Sequence, residues 1–363
     1  ARRPAARAAR GLMRPRVAVL AVASAAGEVG GAERLFTGLA DALRAQGLDA
    51  EVVAAVSDEA DFDAIRGSYL RFFDLDLSGF DGVISAKAPS YAARHPNHVC
   101  YLMHTMRVFY DMFEVERPHP WKGDFDQRDE VQRLDALALR PPGVRRIFAI
   151  GEEVRLRLLG SLGLDATVLR HPSTLGGLAP APGGVAPRRL LMPGRLHRWK
   201  RVDLAIRAMR DVPGDVELLV TGTGEDEARI RALAAGDPRI RFLGRVEEAE
   251  LARLYATSLA VLFVPLREDL GLVTLEAFGC ARPVITCADS GEPARLVRDG
   301  VTGLVARPDP ASVAAAINRL VADPARASQL GENGMREGSA ITWANVGRTL
   351  SAALQPGFGR RAA

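Results

Sequence analysis

Two glutamates, Glu268 and Glu276, bracket the stretch Glu268-Asp-Leu-Gly-Leu-Val-Thr-Leu-Glu276. The first falls in a loop and the second inside a helix that begins near Leu272. Carboxylates on both sides of a helix start suit a phosphorylated sugar. The helix amides hold the anion, and the carboxylates accept hydrogens from ring hydroxyls on either side of it. Acidic residues in a first turn are also good caps, so this signal does not stand alone. Upstream, Pro193-Gly-Arg-Leu-His-Arg-Trp-Lys200 leaves a strand and enters a helix. Arg195 offers a planar fork of donors and Lys200 a point charge, and their spacing lets both converge on one diphosphate. A solvated basic turn is the plainer account. Near the start, Gly30-Gly31-Ala-Glu33 follows an apolar run and opens a helix. Glycines admit close approach of a ligand and free helix amides attract anions; a tight turn would ask for the same residues.

The elements that must position these groups follow from periodicity. Val17–Val22 reads as a strand, then Ala32–Gln46 as a helix with apolar residues at 32, 35, 36, 39, 40 and 43, closed by Gly47. Glu51–Val56, Gly82–Ser85, Val99–Met103, Arg146–Ile150 and Thr167–Arg170 are further strands. Continuously apolar runs separated by helices imply a parallel sheet covered on both faces. From His171 to Pro187 prolines and glycines accumulate without apolar period, as in a linker. The alternation then restarts with strands at Arg189–Met192, Val216–Thr221, Arg241–Leu243, Leu259–Val264 and Val284–Thr286. The expected division is a basic, disordered arm at 1–15, a first α/β domain at 16–178, a linker at 179–187 and a second α/β domain at 188–343. A cleft is expected between the carboxyl ends of the two sheets.

Composition limits the alternatives. The chain has 363 residues, 48% hydrophobic and 25% charged, the balance of a globular protein long enough for two domains. No apolar run reaches the length of a membrane span. The net charge of +4 owes much to six arginines in the first sixteen residues, and no aromatic-studded basic stripe accompanies them. That arm therefore reads as solvated, with weak attraction to an anionic membrane surface as second reading, and nucleic acid is not an expected partner. Val17–Ala26 after a basic stretch also has the look of a secretory leader, but it runs directly into Gly30-Gly31 and an amphipathic helix, as a first strand does. Cys100, Cys280 and Cys287 are unclustered, which fits buried thiols in a reducing compartment.

Taken in order, these motifs resemble family 4 of the retaining glycosyltransferases, whose GT-B fold pairs two Rossmann-like, doubly wound parallel-sheet domains across a cleft. The likeness runs from about Arg16 to Arg348. It rests on Gly30-Gly-Ala-Glu-Arg34, Gly194-Arg195 with Lys200, Gly222-Thr-Gly224, Phe242-Leu-Gly-Arg245, and above all Glu268 and Glu276 followed by Pro283-Val-Ile285. The resemblance implies that Arg195 and Lys200 bind the donor diphosphate and stabilise its leaving charge. It gives Glu268 the hydroxyls of the transferred sugar and Glu276 the ribose. The backbone of Leu270, Gly271, Leu272 and Val273, with that of Gly31, would line the diphosphate and sugar, and Gly30, Gly222, Arg245 and Val246 complete the donor-binding set. His104 matches an active-site histidine near the sugar 6-hydroxyl, although a lone histidine after a strand is more often a core residue. Trp343 matches an aromatic beside a C-terminal helix, about 344–358, that returns to the first domain.

The likeness further implies transfer with retention, with no metal and no other cofactor. The co-substrates would be a nucleotide sugar and a glycan or lipid-linked acceptor, in cell-surface polysaccharide or glycoconjugate assembly. The expected place is the cytoplasm, peripheral on the inner membrane face. His104-Thr-Met-Arg107 with Asp111 resembles mannosyltransferases and favours GDP-mannose over UDP-hexoses. A nucleotide-sugar epimerase of the same fold and a non-catalytic sugar-nucleotide-binding protein are the rivals. Three departures stand out: the turn Pro265-Leu-Arg-Glu268 is one residue short, Gly151 replaces a common serine, and Glu292 a frequent glycine. Gly222-Thr-Gly224 lacks the third glycine of a dinucleotide fingerprint, having Glu227 there. Asp61-Phe-Asp63, Asp74-Leu-Asp76 and Asp124-Phe-Asp126 each spell a metal-binding D-x-D, but none is tied to a nucleotide motif. His95, His98 and Cys100 lack a fourth zinc ligand.

Overall fold

The computed structural model describes residues 14–24, 31–181 and 184–358. Gly30 and most of the arginine-rich arm lie outside these. The described residues form two compact units, each around a six-stranded parallel sheet. One unit comprises the chain up to Ala149 with Arg157–Thr167 and the residues from Trp343 on; the other holds Ile150–Leu156 and Val168–Thr342.

In the first unit the elements are β1 (Arg16–Ser24), α1 (Gly31–Arg44), β2 (Asp49–Ser57), α2 (Phe62–Phe73), β3 (Gly82–Lys87), β4 (His98–His104), α3 (Phe113–Glu116), α4 (Lys122–Leu139) and β5 (Arg146–Ala149). The helix α5 (Glu152–Leu162) and the short strand β6 (Thr167–Val168) follow. The sheet order is β2-β1-β3-β4-β5-β6. Val17 to Leu20 of β1 are buried on both faces, because β1 lies between β2 and β3 under helices. From Val17 to Ser24 the apolar run that looks like a leader peptide is thus in an inner strand of the sheet. On α1 the periodic residues Leu35, Phe36, Leu39, Ala40 and Leu43 are all buried. At the edge, β2 exposes Val52 and Val56.

The second unit contains β7 (Ala186–Pro193), α6 (Val202–Ala208), β8 (Glu217–Thr221), α7 (Glu227–Ala234), β9 (Ile240–Gly244), α8 (Glu248–Thr257) and β10 (Ser258–Leu262). It continues through α9 (Leu272–Gly279), β11 (Val284–Cys287), α10 (Glu292–Leu296), β12 (Gly303–Ala306), α11 (Pro310–Ala322) and α12 (Pro324–Gly338). Its sheet order is β12-β11-β10-β7-β8-β9. Strand β7 begins at Ala186, inside the stretch that composition marks as linker. Alternate residues of each strand feed two cores: Leu190, Leu218 and Leu262 face one, Leu191, Leu219 and Val261 the other. Strand β12 escapes periodicity analysis because its four residues are too few to show a period.

The last helix, α13 (Trp343–Leu354), belongs to the first unit. The Trp343 ring lies so close to Gly38 of α1 that a Cβ there would come within 2.8 Å of it. Asn97 donates to the Leu354 carbonyl at 3.1 Å. Among the described residues no helix is long and apolar enough to cross a membrane.

Asp135 of α4 is fully buried and accepts hydrogen bonds from the Tyr69 hydroxyl and from the Tyr110 hydroxyl, the latter at 2.5 Å. Desolvation pushes its carboxyl up to about 6, although the tyrosine hydroxyls favour the charged form. Between the ordinary carboxylate range and pH 6 the folded chain keeps a proton that the unfolded chain has released. This contribution therefore weakens as pH rises through that window and is constant above it. From pH 4 to pH 7 the loss is about 2 kcal/mol. Asp135→Asn has no charge to desolvate, so urea-unfolding free energies of the two proteins plotted against pH should diverge by that amount in the variant's favour.

Candidate active site

Because the strands of the second unit are parallel, their carboxyl ends lie on one edge of the sheet, and the loops leaving β7, β8, β9, β10 and β11 share that edge. Those loops carry Arg195 and Lys200, Gly222, Arg245 and Val246, Glu268 to Gly271, and Glu292, respectively.

The first two loops meet backbone to backbone. Gly222 has φ 98° and a Cβ there would lie 2.0 Å from the Gly194 carbonyl oxygen, so only glycine fits. The Leu196 amide donates to Thr223 O at 2.9 Å, and the Asp226 amide to Leu196 O at 3.0 Å. Gly222 thus has a packing reason to be glycine apart from any ligand. Arg195 is exposed; its Nε donates to Glu225 at 3.2 Å, and His197 reaches the same carboxylate at 3.1 Å. After β9, Arg245 is exposed and makes no ion pair among the described residues, while Val246 packs against the core.

Lys200 is only partly exposed. Its Nζ donates to Glu268 Oε2 at 2.7 Å and lies 5.5 Å from the centre of the Phe263 ring. The structure therefore joins two residues that the motifs assign to different parts of a donor. The next residue, Arg201, was not singled out as functional, yet it organises this corner. Its backbone is left-handed, with φ 51°. Its guanidinium donates to Val264 O, Pro265 O and both oxygens of Asp289, each at 2.7 Å. Asp289 and Ser290 in turn accept the amides of Arg267 and Glu268 at 3.0 and 2.9 Å, and Glu268 O accepts the Glu292 amide at 2.9 Å. The shortened Pro265–Glu268 turn is thus bound on two sides.

Gly271 caps α9, with φ 76°. Leu270 before it is buried, Leu272 and Val273 partly so. The first amides of a helix have no intrahelical acceptor, so the edge presents donors beside Glu268 in the chain. Glu276, one turn on, accepts from Ser173 Oγ at 2.8 Å and from Tyr255 Oη at 2.6 Å. Neither partner was legible, being 103 and 21 residues away. Burial and the Glu276 charge raise the Tyr255 hydroxyl well above its ordinary range, so it remains a donor. A carboxylate has further lone pairs, and Glu276 can accept more hydrogens than these two.

Two departures from the family pattern fit together. Glu292 is wholly buried and bound to Arg170, with Nε at 2.6 Å and Nη2 at 2.5 Å, and to the Glu153 amide at 3.2 Å. It is not an exposed substitution. A Cβ on Gly151 would fall 2.9 Å from the Glu292 carboxyl carbon and 2.4 Å from Asp269 O. The glycine at 151 leaves the room that the buried carboxylate fills.

In the first unit, Gly31 opens α1 and His104 ends β4. The His104 ring is half-buried, with Nδ1 2.9 Å from Thr105 O. Beyond it, Arg107 and Arg157 flank Asp111, at 2.8 and 2.7 Å, all three largely buried. The D-x-D aspartates have local structural partners: Asp61 caps α2, Asp76 binds Ser78, and Asp124 accepts the Trp121 amide. His98 is buried against Ser85 Oγ at 2.8 Å and pushed down to about 4 by desolvation. The buried thiols are pushed up, Cys100 and Cys287 to about 12 and Cys280 to about 11, which makes them poor nucleophiles.

Removing Arg201 leaves Asp289 without its partner and two loop carbonyls without donors. Arg201→Ala should cost about 2 kcal/mol of stability, because a partly exposed ion pair and the donors to two loop carbonyls are lost. Lysine cannot span three acceptor groups, so Arg201→Lys should recover little of it. Thermal unfolding of both variants, followed by circular dichroism, measures this.

Comparison with known proteins agrees with the fold. Residues 187–323 match the family described as Glycosyl transferases group 1. The D-inositol 3-phosphate glycosyltransferase of Kineococcus radiotolerans is 30% identical over 290 residues, 70% of this chain and 64% of that protein. The chain thus spans slightly less than two thirds of that relative. Among solved structures, sucrose-phosphate synthase from Thermosynechococcus elongatus superposes with a TM-score of 0.74 at 19% identity, covering 94% of this chain and 99% of that one. Anabaena HepE in complex with UDP and glucose gives 0.72 at 16% identity, covering 94% and 100%. Residues 187–323 thus match the group 1 glycosyltransferases, and the two parallel-sheet units have the GT-B fold of these solved structures.

Proposed function

We propose that this protein is a retaining, metal-independent hexosyltransferase of family 4, using a nucleotide-sugar donor and a glycan or lipid-linked acceptor. The observation that carries the reading is the single sheet edge where Arg195, Lys200, Arg245, Glu268 and the start of α9 all emerge, with Lys200 Nζ 2.7 Å from Glu268. Cations and helix amides there face a departing diphosphate, and carboxylates face hydroxyls. In the transfer, the bond between the anomeric carbon and the diphosphate oxygen breaks. The acceptor oxygen bonds to that carbon on the same face, and its proton passes to the departing diphosphate. Charge builds on the diphosphate, so fixed donors accelerate the step. Before donor arrives, Glu268 neutralises Lys200; a diphosphate would take over the ammonium and free the carboxylate for the sugar.

The Arg107 and Asp111 motif supports GDP-mannose as donor. The UDP-bound state of HepE favours a second reading, a UDP-hexose. Peripheral contact with an anionic membrane face, on the cytoplasmic side, is part of the same proposal and draws on the arginine-rich arm.

Calorimetric titration with UDP and GDP separates the two glutamates. Glu276→Ala should weaken the bound diphosphate about tenfold, because it removes an acceptor for the ribose. Glu268→Ala should leave that affinity unchanged or improved, since it releases Lys200, while lowering transfer and blurring choice among sugars. Equal losses in both variants would refute the assignment.

Lys200→Ala loses one charge-assisted contact, so kcat/KM should fall about 10–100-fold in a correctly folded protein. The wild-type protein should keep its activity in excess EDTA. Wild-type turnover of Lys200→Ala, or full loss on chelation, would show that the cationic work is done elsewhere.

A further inference from the structure

The first unit contains a cavity of about 620 Å³ between the C-terminal ends of α2 and α4. Its lining includes none of the residues assigned to the proposed reaction. Its walls include Arg94 to Pro96, just before β4, and Pro142 and Gly143, just before β5. It therefore opens at the amino ends of these strands, whereas His104 stands at the carboxyl end of β4, about 20 Å along the strand. The size is in the range of ligand sites.

The lining is almost entirely apolar. Leu134, Ala138 and the ring-bearing residues Tyr69 and Tyr91 form the interior. Leu70, Phe73 and Leu137 form the mouth, where they are 62%, 42% and 76% exposed. Three large apolar side chains around one opening are expensive to leave in water. The only cation in the lining is Arg94. Its guanidinium stacks on Phe73, 4.1 Å from the ring centre, and Nε donates to Phe73 O at 3.1 Å. This fixes the group at the mouth, and among the described residues it has no carboxylate partner. His95, the one imidazole in the lining, is engaged through Nε2 to Phe80 O and through Nδ1 to the Asn97 amide.

We propose that this cavity is a second ligand site, which takes one aliphatic chain and seats its anionic headgroup, a carboxylate or phosphate, on Arg94. An apolar chamber with one oriented, uncompensated cation at its rim matches a single-chain amphiphile at both ends. A neutral oil would leave Arg94 unused, and a polar anion would leave the chamber empty. The site does not depend on the transfer reaction, and its occupant is not the acceptor, whose reacting end belongs at the opposite end of the strands.

Dodecanoate below its critical micelle concentration is the probe, with dodecanol as the uncharged control, and binding is read by calorimetry. Dodecanoate should bind one per chain, at least tenfold more tightly than dodecanol. Arg94→Gln should weaken dodecanoate about tenfold and leave dodecanol within twofold. Ala138→Phe, which fills the chamber, should abolish both. If that variant misfolds, Leu137→Glu at the exposed mouth should weaken dodecanoate at least tenfold without altering the melting temperature. Absence of dodecanoate binding, or binding indifferent to Arg94 and Leu137, would overturn the proposal. So would a dimer in light scattering that Leu137→Glu dissolves, because a second copy would then be the occupant. Capture by phosphatidylglycerol vesicles without binding of monomeric dodecanoate would also overturn it, in favour of a bilayer surface. Every readout is binding or association, so the result is independent of the hexosyltransferase assignment.

Discussion

The guanidinium of Arg201 is the point on which the corner around Lys200 and Glu268 rests. The segment between β10 and α9 has no regular hydrogen bonding of its own, yet it must present Glu268 at a fixed place. A planar group with donors on several sides can bind Val264 O, Pro265 O and Asp289 together, and no other side chain offers that pattern. Asp289 is thereby fixed as well, and the strand-like pairing of Glu268 with Gly291 follows from it. Lys200 precedes Arg201 in the chain, so the residue that anchors the loop also sets where the ammonium meets Glu268.

Around this anchor the sheet edge is built from turns whose close fit excludes side chains. The contact of Gly222 with Gly194 brings two loop backbones together, and Arg195 stands exposed beside Glu225. Glu292 obeys the opposite logic. A carboxylate buried among loops survives because Arg170 and the Glu153 amide neutralise and satisfy it. Its neighbour Gly151 has given up a side chain to make the space.

The strands were readable because a parallel sheet covered on both faces turns them into apolar runs, and β1, β7 and β10 show this plainly. Helix α1 was readable from its period. Lys200, Glu268 and Glu276 were readable as charged members of motifs. Their mutual contacts were not. Ser173 and Glu276 are 103 residues apart and Arg201 and Asp289 are 88 apart. No local period encodes such pairs. The burial of Glu292 was equally hidden, since a lone glutamate in a polar loop looks like surface. Asp135, in a helix of strongly polar composition, gave no sign of facing the core.

The return of α13 to the first unit bears on how the chain is made. A ribosome releases β1 to β5 early, but Asn97 waits for the carbonyl of Leu354, 257 residues downstream, and Gly38 for the ring of Trp343. Every strand of the second sheet emerges before then. The unit that begins first on the nascent chain is therefore the last to be completed, and the α1 surface that α13 covers stays open to chaperones or to wrong partners throughout synthesis of the rest.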